Sequence, residues 1–290
     1  MKLCILGGRG MLGHMLYQVL KPAFGDVSLT VRGRVEDSPE VIERFGRKAV
    51  IANVDAMFPA DCAKVLRGLR PDILLNCIGV LKPLPGGEDP ITSIAVNGLF
   101  PHYLARAAQE WGGRVVHFST DCVFSGARGN YREDDLPDAA DLYGRSKLIG
   151  EPSGTGVLTL RTSIIGPELA HKRSLLEWFM SEARYRHVVK GFRKAVFSGL
   201  TTLRLAQIVK RTIQDFPELA GTYHVAGEAI SKHDLLCALR EAYDLEVAIT
   251  ADDEVVIDRT LNAKRFERAT GMARPAWAEM IAEMAEGVAA

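Results

Sequence analysis

Short apolar runs alternate with amphipathic stretches over the first two thirds of the chain. The apolar runs are five or six residues long and rich in Val, Ile and Leu, which is the pattern of buried strands. The stretches between them carry apolar residues at helical spacing. The predicted strands are residues 2–7, 27–32, 49–53, 73–78, 114–119 and 157–161, and the predicted helices are residues 11–21, 59–69, 91–111, 142–151 and 174–187. This alternation predicts an α/β fold with a Rossmann-type, doubly wound parallel sheet.

Beyond the sixth predicted strand the alternation becomes irregular. Residues 168–198 combine an amphipathic helix with a basic stretch, and the last part of the chain mixes strand and helix patterns. We predict a dinucleotide-binding domain over residues 1–165, to which the helix within residues 199–216 returns. Residues 166–198 and 217–290 are expected to form a smaller, mixed α/β lobe that binds the substrate.

The first predicted strand runs directly into a glycine-rich turn. Gly7, Gly10 and Gly13 are spaced three apart and lead into the first predicted helix. Glycine at these points leaves room for a tight turn, for a pyrophosphate against bare backbone and for close packing of helix on strand. The turn therefore predicts a dinucleotide site, with a glycine-rich turn that binds nothing as the alternative.

A second motif combines Tyr143 and Lys147 with Thr120 at the end of the fifth predicted strand. A tyrosine and a lysine four residues apart project from one face of a helix. An ammonium close to a phenol stabilises the phenolate, which predicts a lowered pKa for Tyr143. With the Thr120 hydroxyl beside it, the pair suits protonation of a ketone oxygen while a hydride reaches the carbon. The alternative for Tyr143 is a surface tyrosine whose hydroxyl reaches solvent.

These motifs resemble those of the extended short-chain dehydrogenases/reductases, and within them the dTDP-4-dehydrorhamnose reductase branch. The resemblance covers almost the whole chain. The segments that carry it are Gly7–Gly13, Arg70–Asn76, Val96–Asn97 with Pro101, Ser119–Gly126, Leu142–Glu151 and Leu160–Ser163. It implies an NAD(P)H-dependent reductase of a nucleotide-linked 4-keto-6-deoxyhexose, working in deoxysugar synthesis for surface polysaccharide.

The resemblance also implies roles for individual residues. Tyr143 would be the acid/base, Lys147 its partner and a ribose ligand, and Thr120 the hydroxyl of a catalytic triad. The positions implied for the cofactor are Gly7, Gly10, Met11, Leu12, Gly13, Asp55, Ala56, Gly79, Val80, Tyr143 and Lys147. Asp121 and Ile164 join Thr120 at positions that line the sugar pocket in the family.

Arginines near the end of the second predicted strand bear on the choice between NADPH and NADH. Arg32 and Arg34 follow that strand, and Arg9 lies in the glycine turn. A guanidinium suits a 2′-phosphate through bidentate, charge-assisted hydrogen bonds. We therefore predict that NADPH is preferred to NADH, with solvated loop charges as the alternative for Arg32 and Arg34. In the smaller lobe, Arg193 and Arg259 are candidates for binding the nucleotide diphosphate of the substrate.

Composition argues against several other classes of protein. Lys plus Arg and Asp plus Glu total 36 each, so nothing indicates nucleic acid or an anionic membrane as a partner. No apolar run approaches the roughly 20 residues of a membrane span, and we expect no signal peptide. The five cysteines are scattered without ligand spacing, which predicts reduced thiols in a cytoplasmic protein without a metal site. The oligomeric state stays open, a homodimer included.

Two alternative functions stay open on the sequence. One is a nucleotide-sugar epimerase or dehydratase of the same superfamily, although a dehydratase usually carries an acidic pair after the threonine. Here Asp121 is followed by Cys122, where the family usually has a tyrosine. The other is a non-catalytic, NADP-binding regulatory subunit that kept the dinucleotide fold. The intact Thr120, Tyr143 and Lys147 count against that second alternative.

Overall fold

Strands and helices alternate along the chain, as the hydrophobic pattern predicts. The computed structural model describes residues 1–81, 88–170 and 172–289; residues 82–87, whose Pro and Gly content predicts a loop, lie outside it. The strands are β1 Lys2–Leu6, β2 Asp26–Thr30, β3 Val50–Ile51, β4 Ile73–Asn76, β5 Arg114–Thr120, β6 Val157–Thr162, β7 Ile164–Ile165, β8 Val188–Phe192, β9 Ala195–Phe197, β10 Leu200–Thr201, β11 Gly221–His224, β12 Ile230–Ser231, β13 Ala248–Asp252 and β14 Ile257–Asp258. The helices are α1 Met11–Phe24, α2 Pro39–Phe45, α3 Pro59–Leu69, α4 Pro90–Ser93, α5 Phe100–Gln109, α6 Leu142–Ile149, α7 Leu175–Tyr185, α8 Thr202–Asp215, α9 Lys232–Ala242, α10 Lys264–Thr270 and α11 Trp277–Ala289. A π-helical stretch, Ile94–Leu99, joins α4 to α5.

The largest sheet in the described part of the chain has seven strands, in the order β11–β6–β5–β4–β1–β2–β3. All of its neighbouring strands pair in parallel. Strand order reverses on either side of β1, where Ile5 pairs with Leu29 of β2 and with Leu75 of β4. Ligands of such sheets bind beyond the carboxyl ends of the strands, at this reversal. The predicted Rossmann-type fold is confirmed.

Helices cover both faces of this sheet. Leu3 and Ile5 of β1 belong to the core that includes residues of α1 and α8, whereas Cys4 and Leu6 belong to the core under α3 and α5. All four side chains are at most 1% exposed. A strand buried on both faces has to be apolar at every position, which explains the continuous apolar run at the start of the chain.

Short strands from the second half of the chain form three further sheets among the described residues. They are the pair β10–β7, the triplet β12–β9–β14 and the pair β13–β8. Helix α8 packs against α1. Strand β11 lies in the main sheet, with Tyr223 opposite Leu160, whereas the predicted division places it in the smaller lobe. The apolar pattern of a four-residue strand identifies a strand but not the sheet that it joins, because pairing depends on the tertiary fold.

Membrane-spanning helices, metal-binding groups and the state of the cysteines were also considered for the described part of the chain. It has no helix that is both long and apolar enough to cross a membrane. It has no group of three or more His, Cys, Asp or Glu side chains placed to hold a metal ion. Its five cysteines are free thiols.

Candidate active site

Helix α6 places Tyr143 and Lys147 against the end of β5. The helix packs directly on the turn after that strand. The approach is so close that a Cβ at Gly144 would lie 2.2 Å from the carbonyl oxygen of Cys122. The Lys147 ammonium reaches the strand itself and donates a hydrogen bond of 2.7 Å to the carbonyl oxygen of Phe118. This hydrogen bond holds the Lys147 ammonium at Phe118, which is two residues before Thr120, the last residue of β5.

Burial and nearby acids set the charge of Lys147. Its side chain is buried, and this burial lowers its pKa to about 8, while Glu151 and Cys77 act in the opposite direction. A buried amine loses its proton more readily because the charged form is poorly solvated. Lys147 is therefore an ammonium at neutral pH and a neutral amine in mildly alkaline solution.

Thr120 lies between the tyrosine and an acidic side chain. Its hydroxyl donates to Asp121 Oδ1 at 3.2 Å and accepts from the backbone N–H of Cys122 at 3.1 Å. It is also close enough to the Tyr143 phenol to lower the pKa of that group by hydrogen bonding. The structure therefore brings Thr120, Tyr143 and Lys147 together at one strand end.

The predicted lowering of the Tyr143 pKa is wrong, because the groups of the protein around the phenol raise its pKa instead. Burial of the phenol raises its pKa, and the nearby Cys122 raises it further, so that the Thr120 hydrogen bond is outweighed. The spacing of Tyr143 and Lys147 indicates their proximity but not the loss of water around the ring, which is the larger effect here. The phenol keeps its proton at neutral pH, which is the form that a proton donor needs.

The glycine turn between β1 and α1 has room for phosphate groups. A Cβ at Gly13 would lie 2.2 Å from the carbonyl oxygen of Gly7, so the close packing of helix on strand requires glycine there. Gly10, in contrast, is exposed, and a Cβ there would meet only the Gly7 oxygen, at 3.3 Å. The first turn of α1 carries no acidic residue, so its free N–H groups and positive dipole end fit a pyrophosphate.

Two of the other predicted cofactor positions follow β4. Gly79 is exposed and Val80 is half-buried. The Val80 backbone is held at both ends by the side chain of Asn97, whose Oδ1 accepts from the Val80 N–H at 2.8 Å and whose Nδ2 donates to its carbonyl at 3.0 Å. Asn97 Nδ2 also donates to Ser146 Oγ on α6, at 3.2 Å. Asn97, to which the sequence analysis gave no role, thus ties the loop after β4 to the helix of Tyr143 and Lys147.

The predicted adenine contact follows β3. Asp55 is half-buried, and its Oδ1 accepts a hydrogen bond of 3.0 Å from the N–H of Met57. Ala56 is 4% exposed and packs into the core under α3 and α5. A ligand at this edge would therefore meet Asp55 and the exposed Met57 rather than the side chain of Ala56.

The three arginines considered for a 2′-phosphate differ in their partners. Arg9 pairs with Glu40 at 2.6 Å, and Arg34 pairs with Asp37 at 3.1 Å. Arg32 is exposed and makes no hydrogen bond or ion pair within the residues that the structure describes. Arg32 is consequently the guanidinium of the three that is free to bind an anion.

The residues predicted for the substrate do not all meet. Asp121 is buried beside Thr120, and burial raises the pKa of its carboxyl. Arg259 reaches the same turn, with Nε donating to the carbonyl of Phe124 at 3.0 Å. Ile164 is half-buried, pairs with Leu200 and packs against the main core. Asp121 and Arg259 therefore both lie at the turn that follows Thr120.

Arg193, in contrast, is not brought to this site. Its guanidinium forms two hydrogen bonds with Asp253, of 2.8 and 2.5 Å, and both side chains are more than one third exposed. Its neighbours Lys190 and Lys194 form single ion pairs, with Asp252 at 2.8 Å and with Asp253 at 3.8 Å. The basic stretch that suggested diphosphate binding is thus balanced by acidic residues at the end of β13.

A buried ion pair that the sequence analysis missed lies behind Lys147. Glu151 accepts hydrogen bonds from Arg161 Nε at 2.8 Å, from Arg161 Nη2 at 2.7 Å and from Ser119 Oγ at 2.5 Å. The side chains of Arg161 and Glu151 are only 7% and 8% exposed. The pair joins the end of α6 to β5 and β6, and its carboxylate favours the charged form of Lys147.

Comparison with known proteins agrees with this geometry. The model of the family described as the RmlD substrate binding domain matches residues 1–289. The chain belongs to this family. Among its relatives, the dTDP-4-dehydrorhamnose reductase of Salmonella typhimurium is 25% identical over 301 residues, covering 96% of this chain and 94% of that protein. The Xenopus laevis protein named methionine adenosyltransferase 2 subunit beta is 25% identical over 254 residues, covering 83% of this chain and 72% of that protein.

Solved structures share the fold of this RmlD-family chain over nearly its whole length. A dTDP-4-dehydrorhamnose reductase of Clostridium acetobutylicum superimposes with a TM-score of 0.82 at 21% identity, covering 100% of both chains. One of Bacillus anthracis, in complex with NADP, gives 0.80 at 20% identity, covering 98% of this chain and 99% of the other. The Bordetella bronchiseptica enzyme WbmG, in complex with NAD and UDP, gives 0.78 at 19% identity, covering 98% and 93%. These structures show the shared fold, and the family model over residues 1–289 confirms the predicted family.

Proposed function

We propose that the protein reduces the keto group of a nucleotide-linked 4-keto-6-deoxyhexose with hydride from a nicotinamide cofactor. The observation that carries the proposal is the meeting of Thr120, Tyr143 and Lys147 at the carboxyl end of β5. The glycine turn after β1 lies at the same edge of the sheet. Membership of the RmlD family and the similarity to the Salmonella typhimurium reductase support the same reaction.

Each member of the triad has a distinct task in this reaction. A reduced nicotinamide cofactor, held by the glycine turn after β1, would supply the hydride. Tyr143, protonated at neutral pH, donates its proton to the substrate oxygen as that oxygen gains negative charge. The Thr120 hydroxyl turns from Asp121 Oδ1 to donate its one hydrogen bond to the same oxygen. The Lys147 ammonium stabilises the phenolate that remains, which lowers the cost of moving the proton.

Oxidation of NADPH with a panel of dTDP-, UDP- and GDP-linked 4-keto sugars tests the proposal. We expect loss of reduced cofactor that requires the keto sugar, with one nucleotide preferred. Absence of oxidation across the panel, with cofactor binding intact, would contradict the reductase assignment. That outcome would favour the second candidate, a subunit that binds the cofactor and serves another enzyme, which the similarity to a protein named subunit beta supports.

A dehydratase is less compatible with the site. Asp121 supplies a carboxyl group beside Thr120, but the next residue is Cys122. Burial raises the pKa of the Cys122 thiol to about 12, so this group is not a second acid that exchanges protons near neutral pH. The site therefore favours simple reduction.

We also propose a preference for NADPH, which rests on Arg32. Replacing Arg32 by Ser should lower kcat/KM with NADPH by about tenfold or more, since hydrogen bonds to charged groups contribute roughly 1.5–3 kcal/mol. The value with NADH should change little. Arg34→Ser is the matched control, because its guanidinium already pairs with Asp37. Equal losses with both cofactors, or a strong preference of the unsubstituted protein for NADH, would refute the role of Arg32.

The pH dependence of turnover should follow Lys147. Because burial lowers the pKa of this lysine, its ammonium is present below pH of about 8 and is lost above it. We therefore expect kcat to fall as the pH rises through about 8, measured at saturating cofactor and substrate. A rate that stays level up to the ordinary lysine pKa of about 10.4 would show that the charge of Lys147 is not required.

The setting of the reaction is part of the proposal. The free thiols are compatible with a reducing compartment, and we propose that the protein acts in the cytoplasm. The reduced sugar nucleotide would serve deoxysugar synthesis for surface polysaccharide. Fractionation of cells and analysis of their surface sugars after deletion of the gene would check both statements.

A further inference from the structure

A buried histidine lies directly under the glycine turn between β1 and α1. His14 is in the first half of α1, and it is only 3% exposed. Its Nδ1 lies 2.9 Å from the carbonyl oxygen of Gly10, the N-cap residue of the helix. A carbonyl oxygen can only accept, so Nδ1 carries the proton and donates this hydrogen bond. The sequence analysis gave His14 no role.

The Gly10 carbonyl has one other hydrogen bond among the described residues. The backbone N–H of His14 also donates to it, but at the longer distance of 3.3 Å. Gly10 is exposed, and no side chain caps the first turn of α1. Glycine rotates about its backbone bonds more freely than other residues. The imidazole therefore makes the shorter of the two hydrogen bonds that fix the peptide unit between Gly10 and Met11.

The orientation of this peptide unit decides where the Met11 N–H points. A peptide unit is planar and trans, so its C=O and its N–H point in opposite directions. The carbonyl points into the helix toward His14, and the Met11 N–H consequently points out of the helix start. The first N–H groups of a helix have no partner within the helix. This N–H is therefore available to a phosphate group placed at the glycine turn.

His14 does not attract an anionic cofactor directly. Its ring is buried beneath the turn, so a ligand above the turn does not reach it. Burial also lowers the pKa of His14, although the hydrogen bond to Gly10 acts in the opposite direction. The imidazole is thus neutral at neutral pH and has no net charge to pair with a phosphate. Its influence on the turn passes through the hydrogen bond to Gly10.

We infer that His14 is a positioning residue for the dinucleotide, because it holds the peptide unit that aims the Met11 N–H at the pyrophosphate. The inference rests on the proposed function only in taking the glycine turn as the cofactor site. A donor that is already oriented costs less entropy to bind than one that has to be ordered. His14 should consequently affect the affinity for the cofactor more than the transfer of hydride.

Three substitutions of His14 separate the hydrogen bond from the burial of the side chain. His14→Leu removes the donor and keeps an apolar side chain of similar size. His14→Asn places an amide nitrogen where Nδ1 lies, so it can still donate to Gly10. His14→Gln is also an amide, but it is one methylene longer, and its nitrogen takes the place of Nε2.

Thr212→Val is the matched control. Thr212 is buried, and its hydroxyl donates a hydrogen bond of 2.8 Å to the carbonyl oxygen of Ile208, four residues earlier in α8. This is the same kind of contact within a helix, but it lies away from the glycine turn. Urea denaturation of each variant gives its stability, so that a loss of stability can be told apart from a loss of affinity.

Titration of NADPH and of NADH into each protein, followed by nicotinamide fluorescence, measures affinity without any substrate. We expect His14→Leu and His14→Gln to raise the Kd by about fivefold, the usual effect of one neutral hydrogen bond. The increase should be equal for the two cofactors, because both contain the same pyrophosphate. His14→Asn should stay within about twofold of the unsubstituted protein, and Thr212→Val should leave the Kd unchanged.

Several outcomes would overturn the inference. One is an equal Kd in His14→Leu and in the unsubstituted protein, and another is a protein that binds neither cofactor. A loss in His14→Asn as large as that in His14→Gln would show that the donor at the Nδ1 position is not what matters. If His14→Leu does not fold, this comparison of the two amides decides. A loss in Thr212→Val as large as that in the His14 variants would show a general effect of stability.

Binding and turnover separate this inference from the proposed reaction. In steady-state kinetics, His14→Leu should raise the KM for NADPH, with a smaller change in kcat. A protein whose Kd for NADPH depends on His14 but which reduces no keto sugar would retain the positioning role and refute the reductase. A protein that reduces a keto sugar, with the same Kd for NADPH in His14→Leu, would retain the reductase and refute the positioning role.

Discussion

Replacing Tyr143 by Phe should lower kcat by about 10²–10⁴-fold, the usual contribution of a positioned proton donor. The phenylalanine ring fills the same space on α6, so the fold and the affinity for NADPH should remain nearly intact. The expected loss follows from the raised pKa of Tyr143, which keeps the proton on the phenol until the substrate oxygen takes it. Steady-state kinetics with saturating NADPH and varied keto sugar measures the effect.

Tyr185→Phe is the control for this experiment. The Tyr185 side chain is 83% exposed, so removal of its hydroxyl should leave kcat unchanged. If Tyr143→Phe retained most of the turnover, a group other than this phenol would have to supply the proton. A loss confined to KM would place Tyr143 in substrate binding instead of proton transfer.

Replacing Glu151 by Gln should destabilise the protein by about 3–5 kcal/mol, the cost of removing one partner from a buried ion pair. The Arg161 guanidinium, 7% exposed, would lose the carboxylate that accepts two of its hydrogen bonds. Urea denaturation of the two proteins, with the midpoints and slopes compared, measures the difference in the free energy of unfolding.

Glu110→Gln is the matched control. The ion pair of Glu110 has a similar geometry to that of Glu151, but it is exposed to solvent instead of buried. Glu110 also accepts two hydrogen bonds from one guanidinium, that of Arg67, but both side chains are nearly half exposed. Solvent screens such a pair, so the control should change stability much less. Equal decreases in the free energy of unfolding of the two variants would show that the buried pair contributes no more to stability than the exposed pair.

Glu151→Gln should also change catalysis if enough folded protein remains. The Glu151 carboxylate raises the pKa of Lys147, so its removal favours the neutral amine. The alkaline fall in kcat should then move to lower pH than in the unsubstituted protein. An unchanged pH profile in the folded variant would separate the structural role of Glu151 from any influence on the lysine.

The main sheet and the placement of Thr120, Tyr143 and Lys147 at one strand end could be predicted from simple signals in the sequence. An apolar run such as residues 2–7 has to be buried on both faces, and the helical spacing of Tyr143 and Lys147 holds wherever the helix lies. The carboxyl ends of parallel strands meet at one edge, so Thr120 and the glycine turn were expected to lie together. None of these steps requires a particular contact between side chains of distant segments.

The remaining features depend on contacts between distant segments. The Glu151–Arg161 pair forms only when α6, β5 and β6 are assembled, and each residue alone resembles an ordinary surface charge. The raised pKa of Tyr143 likewise reflects its burial, and burial of a single side chain is a property of the folded chain.

The origin of the hydrogen delivered to the sugar tests the central claim most directly. The protein is given NADPH that carries deuterium at the transferred position of the nicotinamide, together with the 4-keto sugar nucleotide that it reduces fastest. Mass spectrometry and NMR of the product should show a single deuterium, bound to C4 of the sugar, and Tyr143→Phe should slow its appearance. A product without deuterium at C4, or oxidation of NADPH that leaves the sugar unchanged, would contradict the assignment of this protein as a sugar-nucleotide ketoreductase.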